Sequence, residues 1–390
     1  MSDIVVAGVG MTKFVKPGMQ EPYRVMASRA IREAIEDSGI KSTQIGQAFG
    51  SYVYGDSAAG QHALYDCFMT GIPIVNVHNN CSSGSSALFL ARQAVESGSV
   101  DCALAFGFEE MRPGAIDSVW DDREFPTGKY ADALTQMGYP EAPPGLRMFG
   151  AAGHHYMHKY GAPPDIFAKV AVKTRRHAAN NPMALLSAPL TVEEVMESKV
   201  VYHDYLRRFM CCPPSCGAAA AVVCSKSFAE QHGICGTVAI IGQAMATDAE
   251  GVWDNPMDIV GAGATRRAAA QAFERAGVGP DDVQVVELHD CFTPNEVVNY
   301  EALGLCEEGG AQRMIEDGDN TYGGKYVVNP SGGLMSKGHP LGATGLAQCY
   351  ELCLQMRGDA GRRQVEKARI ALQHNIGVPG AAVVTLYRAS

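Results

Sequence analysis

The stretch Val75-Asn76-Val77-His78-Asn79-Asn80-Cys81-Ser82-Ser83-Gly84-Ser85-Ser86-Ala87-Leu88 joins a β-branched run to a segment that favours helix. A single cysteine, Cys81, stands at the junction. The amino terminus of a helix carries unpaired backbone amides and the positive end of the macrodipole, and both stabilise an anion. The stretch therefore predicts a strand-to-helix turn whose thiol ionises more easily than a free cysteine, as a nucleophile requires.

A packing role is the alternative for this cysteine, because cysteine is among the residue types most often buried in proteins. The local pattern leaves the nucleophile and the packing residue both open. Groups much further along the chain bear on the choice.

The order of elements around this turn occurs twice in the chain. Strand-like runs alternate with helical segments before Cys81 and after it, and the same order returns in residues 237–386. Residues 267–277 repeat the helical segment 29–39 with identity at five of eleven positions. Strands that alternate with helices predict an α/β fold with a mixed, mostly parallel sheet covered by helices. We therefore predict two copies of one α/β unit.

A stretch of different character separates the copies. Residues 111–210 contain proline-rich turns and a run rich in histidine. We assign residues 1–110 and 211–236 to the first half, residues 111–210 to an inserted loop domain, and residues 237–390 to the second half. The histidines lack a carboxylate or cysteine set at ligand spacing, so packed or solvated histidines are favoured and no metal is expected.

Composition argues against several classes of partner. The formal charge of −10 disfavours nucleic acid and anionic membrane surfaces. No apolar run reaches the roughly 18 residues that a membrane helix needs, so no membrane insertion is expected. Twelve scattered cysteines and the absence of a signal sequence at Met1 indicate a reducing, cytoplasmic compartment. The final residues, Arg388-Ala389-Ser390, differ from the Ser-Lys-Leu peroxisomal address, which makes that location the less expected one.

Two segments of the second half carry further reactive groups. The run Leu288-His289-Asp290-Cys291-Phe292 follows an apolar strand, and a glycine-rich loop presents His339 just before a helix. Such loops also bind phosphate, but neither the Walker spacing nor G-x-G-x-x-G is present. Cysteines and histidines at strand ends of a duplicated α/β fold fit acyl transfer through a thiol nucleophile.

Four ordered motifs resemble those of the thiolase superfamily. They are Asn80-Cys81-Ser82-Ser83-Gly84, His289-Asp290-Cys291-Phe292, Asn329-Pro330-Ser331-Gly332-Gly333 and Gly338-His339-Pro340-Leu341-Gly342. The His-Asp-Cys-Phe motif is similar to that of thiolases of the sterol carrier protein 2/X type. The resemblance covers nearly the whole chain and implies the thiolase fold, with two half-domains, a loop domain and a homodimer or a dimer of dimers.

The resemblance implies a 3-oxoacyl-CoA thiolase with coenzyme A as co-substrate and no covalently bound cofactor. Cys81 would attack the C3 ketone and His339 would accept the thiol proton. In much of the superfamily a second cysteine, in a carboxyl-terminal Cys-x-Gly motif, protonates the acetyl-CoA enolate. This chain has Asn375-Ile376-Gly377 there. As in the sterol carrier type, Cys291 would take over that role, and a thiol of ordinary pKa, about 8.5, can both give and take a proton near neutrality.

The remaining expected contacts also come from the resemblance. His289 would help the catalytic base to bind the thioester oxygen, and backbone amides of Cys81 and Gly377, next to Asn375, would hold the oxyanion. Gly332 and Gly333 would contact the substrate. The phosphates of coenzyme A have five candidate partners that equally fit solvated surface charges, namely Lys173, Arg175, Arg176, Arg207 and Arg208.

Two other functions stay open. A condensing enzyme also uses one cysteine and two histidines, but lacks a cysteine equivalent to Cys291. A non-catalytic or retro-aldolase relative would be expected to lose Cys81, which is present. The preferred acyl chain is not decided by the sequence.

Overall fold

The computed structural model describes residues 4–114, 120 and 122–389. Within these residues the strands are β1 (Ile4–Met11), β2 (Gln47–Ser51), β3 (Ile74–Val77), β4 (Cys102–Glu109), β5 (Val200–Tyr202), β6 (Leu206–Arg207), β7 (Gly217–Ser225), β8 (Val238–Thr247), β9 (Val285–Glu287), β10 (Val327–Val328), β11 (Ile370–Gly377) and β12 (Ala381–Ala389).

The helices of the same residues are α1 (Tyr23–Ser38), α2 (Ala59–Tyr65), α3 (Ser83–Glu96), α4 (Gly128–Gln136), α5 (Pro144–Tyr160), α6 (Asp165–Ala178), α7 (Val192–Glu197), α8 (Lys226–Gln231), α9 (Pro256–Ile259), α10 (Ala262–Ala276), α11 (Thr293–Ala302), α12 (Ala311–Glu316) and α13 (Thr344–Arg357). A π-helical turn, Gly333–Lys337, precedes α13. Across the described part of the chain, no helix combines the length and the apolar character that crossing a bilayer requires.

Ten strands form one mixed sheet in the order β10-β9-β11-β12-β8-β1-β7-β4-β2-β3. Read outward from the centre, β1, β7, β4, β2 and β3 of the first half correspond to β8, β12, β11, β9 and β10 of the second. In each half the three outer strands are parallel and the two inner pairs are antiparallel. The predicted fold with two copies is confirmed, and parallel pairing is confined to the strands that helices connect.

The repeated sequence has a packing reason. Gly8 of β1 lies against α1, where a Cβ on this residue would be 2.3 Å from the carbonyl oxygen of Ala34. Gly242 of β8 stands in the same relation to Ala272 of α10, also at 2.3 Å. Each contact needs a glycine on the strand so that the helix backbone can approach the sheet. Ala34 and Ala272 are accordingly among the residues that the two copies share.

Helices α3 and α13 bring the two halves together. One buried apolar cluster contains residues of both helices and of strands from both halves. Their amino-terminal ends approach closely, since a Cβ on Gly84 would be 2.8 Å from the carbonyl oxygen of Gly342 and 3.0 Å from the amide nitrogen of Gly345. The turns before these helices carry Cys81 and His339, so the packing places both at one site.

The chain between β4 and β7 adds no strand to the ten-stranded sheet in the part that the structure describes. It forms α4 to α7 and the pair β5-β6, and its helices α5 and α6 pack on α11 of the second half. Phe149 of α5 stacks on Phe292 with ring centroids 4.8 Å apart. The domain boundaries stay predictions, and positions 115–119 and 121 of the predicted insertion lie outside the described residues.

Candidate active site

Cys81 lies in the turn between β3 and α3, as the sequence predicts. Asn80 takes a left-handed conformation with φ of 51°, which asparagine adopts more readily than most residues. The carbonyl of Asn79 accepts hydrogen bonds from the Ser82 backbone amide (3.1 Å) and hydroxyl (2.8 Å). The two asparagines that end the strand in sequence therefore build the turn that presents the thiol.

The expectation that the Cys81 thiol ionises more easily than a free cysteine is wrong. Burial raises the pKa of this thiol to about 12, with a further contribution from the Glu109 carboxylate. The backbone amide of Cys81 opposes the rise, as the helix-terminus argument requires, but it is the smaller effect. The residue as a whole keeps some contact with solvent. Cys81 therefore rests as a thiol, and it could act as a nucleophile only with a base that removes its proton.

His339 has the geometry of that base. Its backbone amide donates to the Ser215 hydroxyl at 2.9 Å, and its Nδ1 lies 2.7 Å from the Thr344 hydroxyl oxygen. The Thr344 hydroxyl donates its own hydrogen to the Pro340 carbonyl, so Nδ1 of His339 must carry the proton of that contact. Its Nε2 is consequently a proton acceptor, and it is buried without a hydrogen-bond partner among the residues that the structure describes. Burial lowers the pKa of His339 to about 3, which keeps the ring neutral.

His289 lies close to both Cys81 and His339. It is buried in the turn between β9 and α11, and its Nδ1 lies 2.8 Å from the side-chain amide of Asn375. Burial and the two neighbouring histidines, His339 and His374, hold the pKa of His289 well below its usual range. The rings of His289 and His339 are perpendicular, with centroids 5.0 Å apart. The Cys81 sulfur and one nitrogen of each of these two histidines all lie within 4.8 Å of one another.

Cys291 is buried two residues after His289 and does not belong to that close group. Burial raises the pKa of its thiol well above the ordinary value, and the thiols of Cys212 and Cys81 raise it further. The expectation of an ordinary thiol pKa is therefore wrong. Cys291 rests as a thiol, a state that can donate a proton, and its thiolate would be a strong base.

Gly377 and Asn375 lie beside the turn that carries Cys81. A Cβ on Gly377 would be 2.1 Å from the Asn79 carbonyl oxygen, so only glycine allows β11 to end against this turn. The side chain of Asn80 donates to the Val378 carbonyl. The structure thus brings the predicted oxyanion segment next to Cys81, and its contact with an oxyanion stays a prediction.

Gly332 and Gly333 are buried, with φ of 94° and 57°. A Cβ on Gly332 would be 2.5 Å from the Cβ of Ala178, and one on Gly333 would be 2.2 Å from a carboxylate oxygen of Asp290. These glycines shape the loop by close packing. Their contact with substrate stays a prediction.

Comparison with known proteins agrees with this geometry. The family profile described as "Thiolase, N-terminal domain" matches residues 4–208, and the profile "Thiolase C-terminal domain-like" matches residues 247–387. The chain belongs to the thiolase family.

Relatives of this thiolase-family chain include sterol carrier protein 2 of Homo sapiens, 48% identical over 99% of this chain and 72% of that protein. The benzoylsuccinyl-CoA thiolase subunit BbsB of Thauera aromatica is 36% identical over 96% of this chain and 94% of that protein. An acetyl-CoA acetyltransferase of Methanothermobacter thermautotrophicus is 36% identical over 99% of this chain and 100% of that protein. A solved structure of an Ltp2-ChsH2(DUF35) aldolase has a TM-score of 0.83 and 24% identity, covers 99% of this chain and 98% of that one, and shows the shared fold.

Sequence reasoning missed Glu109, which ends β4 of this thiolase-family protein, near the turn that carries Cys81. Its buried carboxylate accepts hydrogen bonds at 3.0 Å from the backbone amides of Val53, Tyr54 and Gly342. Burial raises the pKa of Glu109 to about 7. The only signal in the sequence is an acidic residue at the end of an apolar strand. The carboxylate ties the first half to the loop that follows His339.

Asp290, the second residue of the His-Asp-Cys-Phe motif, also has a structural explanation. Its carboxylate accepts from the Leu334 amide at 2.6 Å, at the start of the π-helical turn before His339. The motif and the histidine loop are therefore joined directly.

One candidate for the phosphates of coenzyme A is excluded by its contacts. Lys173 is 4% exposed and forms an ion pair with the buried Glu296. Arg175 and Arg176 contact the hydroxyls of Ser336 and Thr321 at 3.2 Å and 3.0 Å. These two cations, with Arg207 and Arg208, stay candidates.

The raised pKa of Cys81 predicts how this thiol reacts with iodoacetamide. Because only the thiolate is alkylated, the rate should increase about tenfold per pH unit from about pH 6 to about pH 10, without a plateau. Mass spectrometry of the peptide containing Cys81 measures this rate, and Cys81→Ala gives the contribution of other thiols. A plateau near pH 7 would instead indicate a preformed thiolate-imidazolium pair with His339.

Proposed function

We propose that this protein is a 3-oxoacyl-CoA thiolase of the sterol carrier protein 2/X type. It would cleave a 3-oxoacyl-CoA with coenzyme A through an acyl thioester on Cys81. The observation that carries the proposal is the convergence of a neutral thiol with two neutral histidines. One of them, His339, offers an Nε2 that has no partner within the described part of the chain. The relatives named as thiolase and acetyltransferase support the same reaction class.

In the first half-reaction, Nε2 of His339 takes the thiol proton while the sulfur of Cys81 bonds to C3 of the substrate. The electron pair of the C3 carbonyl moves to its oxygen, for which the amides of Cys81 and Gly377 are the proposed donors. Collapse of this oxyanion breaks the C2–C3 bond and leaves the acyl group on the sulfur. The electron pair of that bond forms the acetyl-CoA enolate, whose thioester oxygen His289 and His339 bind.

The enolate then takes a proton from the thiol of Cys291, and acetyl-CoA leaves. The raised pKa of Cys291 does not prevent this step, because the carbon acid that forms is a far weaker acid than a thiol. In the second half-reaction the Cys291 thiolate takes the proton of incoming coenzyme A. The new thiolate attacks the acyl carbonyl, and Cys81 leaves and recovers its proton from His339.

We also propose a homodimer or a dimer of dimers and a cytoplasmic location. Both proposals rest on the sequence. Light scattering coupled to size-exclusion chromatography tests the first, and fractionation of the source cells tests the second.

The experiment that tests the function is thiolysis of acetoacetyl-CoA with and without coenzyme A, followed by loss of the 3-oxoacyl absorbance. Wild-type protein should turn over many times with coenzyme A. Without it, the protein should release one equivalent of acetyl-CoA and retain an acyl mass on Cys81. A retro-aldolase would leave acetoacetyl-CoA intact, would cleave a 3-hydroxyacyl-CoA without free coenzyme A, and would leave no acyl adduct on Cys81. That result would replace the proposal.

A further inference from the structure

The hydrogen-bond partners of His289 decide which of its nitrogens carries a proton. A neutral imidazole has one N–H, so one nitrogen donates and the other accepts. His289 contacts Asn375 through Nδ1 at 2.8 Å. If the Asn375 side chain presents its NH₂ group here, Nδ1 accepts and Nε2 carries the proton. If it presents its oxygen, the assignment is reversed.

A chain of buried side chains fixes the orientation of Asn375. It begins at the backbone carbonyl of Gly345, which can only accept and which lies 2.7 Å from the side-chain nitrogen of Gln373. The same nitrogen donates to the Ser85 hydroxyl oxygen at 2.8 Å, and the oxygen of Gln373 accepts from the Tyr387 hydroxyl. Both hydrogens of the Gln373 amide are therefore used, and its orientation is determined.

The Ser85 hydroxyl then has one hydrogen left to donate. Its acceptor is the side-chain oxygen of Asn375 at 3.0 Å. The NH₂ group of Asn375 consequently faces His289. If the Asn375 amide were flipped, the NH₂ groups of Asn375 and Gln373 would both donate to the Ser85 oxygen. The hydroxyl hydrogen of Ser85 would then have no acceptor in this chain of side chains. The side chains of Ser85, Gln373, Asn375, Tyr387 and His289 are all buried, so water does not compete for these bonds.

We propose that Ser85 and Gln373 are positioning residues that hold His289, through Asn375, in the tautomer with the proton on Nε2. His289 then offers a hydrogen-bond donor at Nε2, whereas His339, held by Thr344 in the opposite tautomer, offers an acceptor at its own Nε2. One histidine stabilises developing negative charge while the other removes the thiol proton. The catalytic meaning of this arrangement rests on the proposed thiolase function, whereas the tautomer itself does not.

The arrangement spans both halves of the fold. Ser85 lies on α3, four residues after the nucleophile, whereas Gln373 and Asn375 lie on the same face of β11 in the second half. Their strand continues to the Gly377 segment beside Cys81. A change at Ser85 is therefore expected to alter His289 across the junction of the two copies, without contacting the substrate.

The first test needs no variant. Histidine labelled with nitrogen-15 and long-range proton–nitrogen correlation spectra distinguish a protonated from an unprotonated ring nitrogen, and His289→Gln assigns the signal. The wild-type protein should show an unprotonated Nδ1 and a protonated Nε2 at His289, and the reverse at His339. A protonated Nδ1 at His289 would overturn the proposal.

The second test uses variants that interrupt the chain of donors. In Ser85→Ala, Asn375 loses the donor to its oxygen. In Gln373→Glu, the Ser85 hydroxyl should turn to the new carboxylate, with the same result. Both variants should show a mixture of tautomers at His289. Thr174→Val is the matched control, because its buried hydroxyl donates to the carbonyls of Val170 and Ala171 in its own helix, and it should keep the wild-type spectrum.

Thiolysis provides the second readout. Loss of a preorganised donor to an oxyanion lowers kcat by roughly 10²- to 10³-fold, and a partial loss of the correct tautomer should lower it about 10- to 100-fold with little change in KM. If Ser85→Ala and Gln373→Glu keep the wild-type spectrum at His289, the proposal is wrong. If the tautomers respond as expected but no thiolysis is detected in the wild-type protein, the positioning role of Ser85 and Gln373 stands and the proposed function fails.

Discussion

Replacing Cys81 with alanine is expected to lower the rate of 3-oxoacyl-CoA thiolysis by roughly 10⁴- to 10⁶-fold, because the acyl thioester intermediate can then no longer form. The substrate should still bind, since the histidines and the backbone around the turn stay in place. Steady-state assays measure the loss, and titration of bound 3-oxoacyl-CoA checks the affinity.

The control for this change is Cys235→Ala. Cys235 is exposed, and its thiol donates to the carbonyl of Gly233 at 3.7 Å. Its loss should leave turnover within about twofold of the wild type, because surface substitutions away from special features have small effects. Turnover of Cys81→Ala above about one hundredth of the wild-type rate would mean that another group is the nucleophile.

The duplicated fold could be predicted because the same local sequence signals for its strands and helices occur in both halves of the chain. Small residues such as Ala34 and Ala272 recur at matching positions, and each contacts a strand glycine that the helix could not otherwise approach. The β-branched runs and the glycines that follow helices add independent local signals. A mixed sheet was predicted, but which of its strands are antiparallel was not, because β7 returns to the sheet only after a long insertion and periodicity does not encode strand direction.

The positions of the reactive residues were also predictable, whereas their protonation was not. The motif spellings place Cys81, His289 and His339 at strand ends, and the fold brings them within 4.8 Å. The pKa of a thiol depends on how much protein surrounds it, and that burial arises from chain segments far apart in sequence. The same limitation hides the contact of Ser85 with Asn375, residues separated by 290 positions.

The proposed roles of Cys81 and Cys291 can be separated by hydrogen–deuterium exchange of acetyl-CoA, a reaction that needs Cys291 but not Cys81. Acetyl-CoA dissolved in deuterated water exchanges its methyl protons if a base removes one and an acid returns a deuteron. In the proposed mechanism this is the reverse of enolate protonation, so it requires Cys291 and the histidines that bind the thioester oxygen. It does not require the sulfur of Cys81.

Cys291→Ala is therefore expected to lower both thiolysis and this exchange by roughly 10²- to 10⁴-fold, the usual contribution of a general acid or base. Cys81→Ala should lose thiolysis yet retain exchange within about tenfold of the wild type. Nuclear magnetic resonance of the methyl group follows the exchange directly. Cys235→Ala is the control here as well, because its exposed thiol has no assigned chemical role, and it should exchange within about twofold of the wild type. If Cys291→Ala exchanges as fast as the wild type, the acid is another residue, and the raised pKa of Cys291 reflects burial alone.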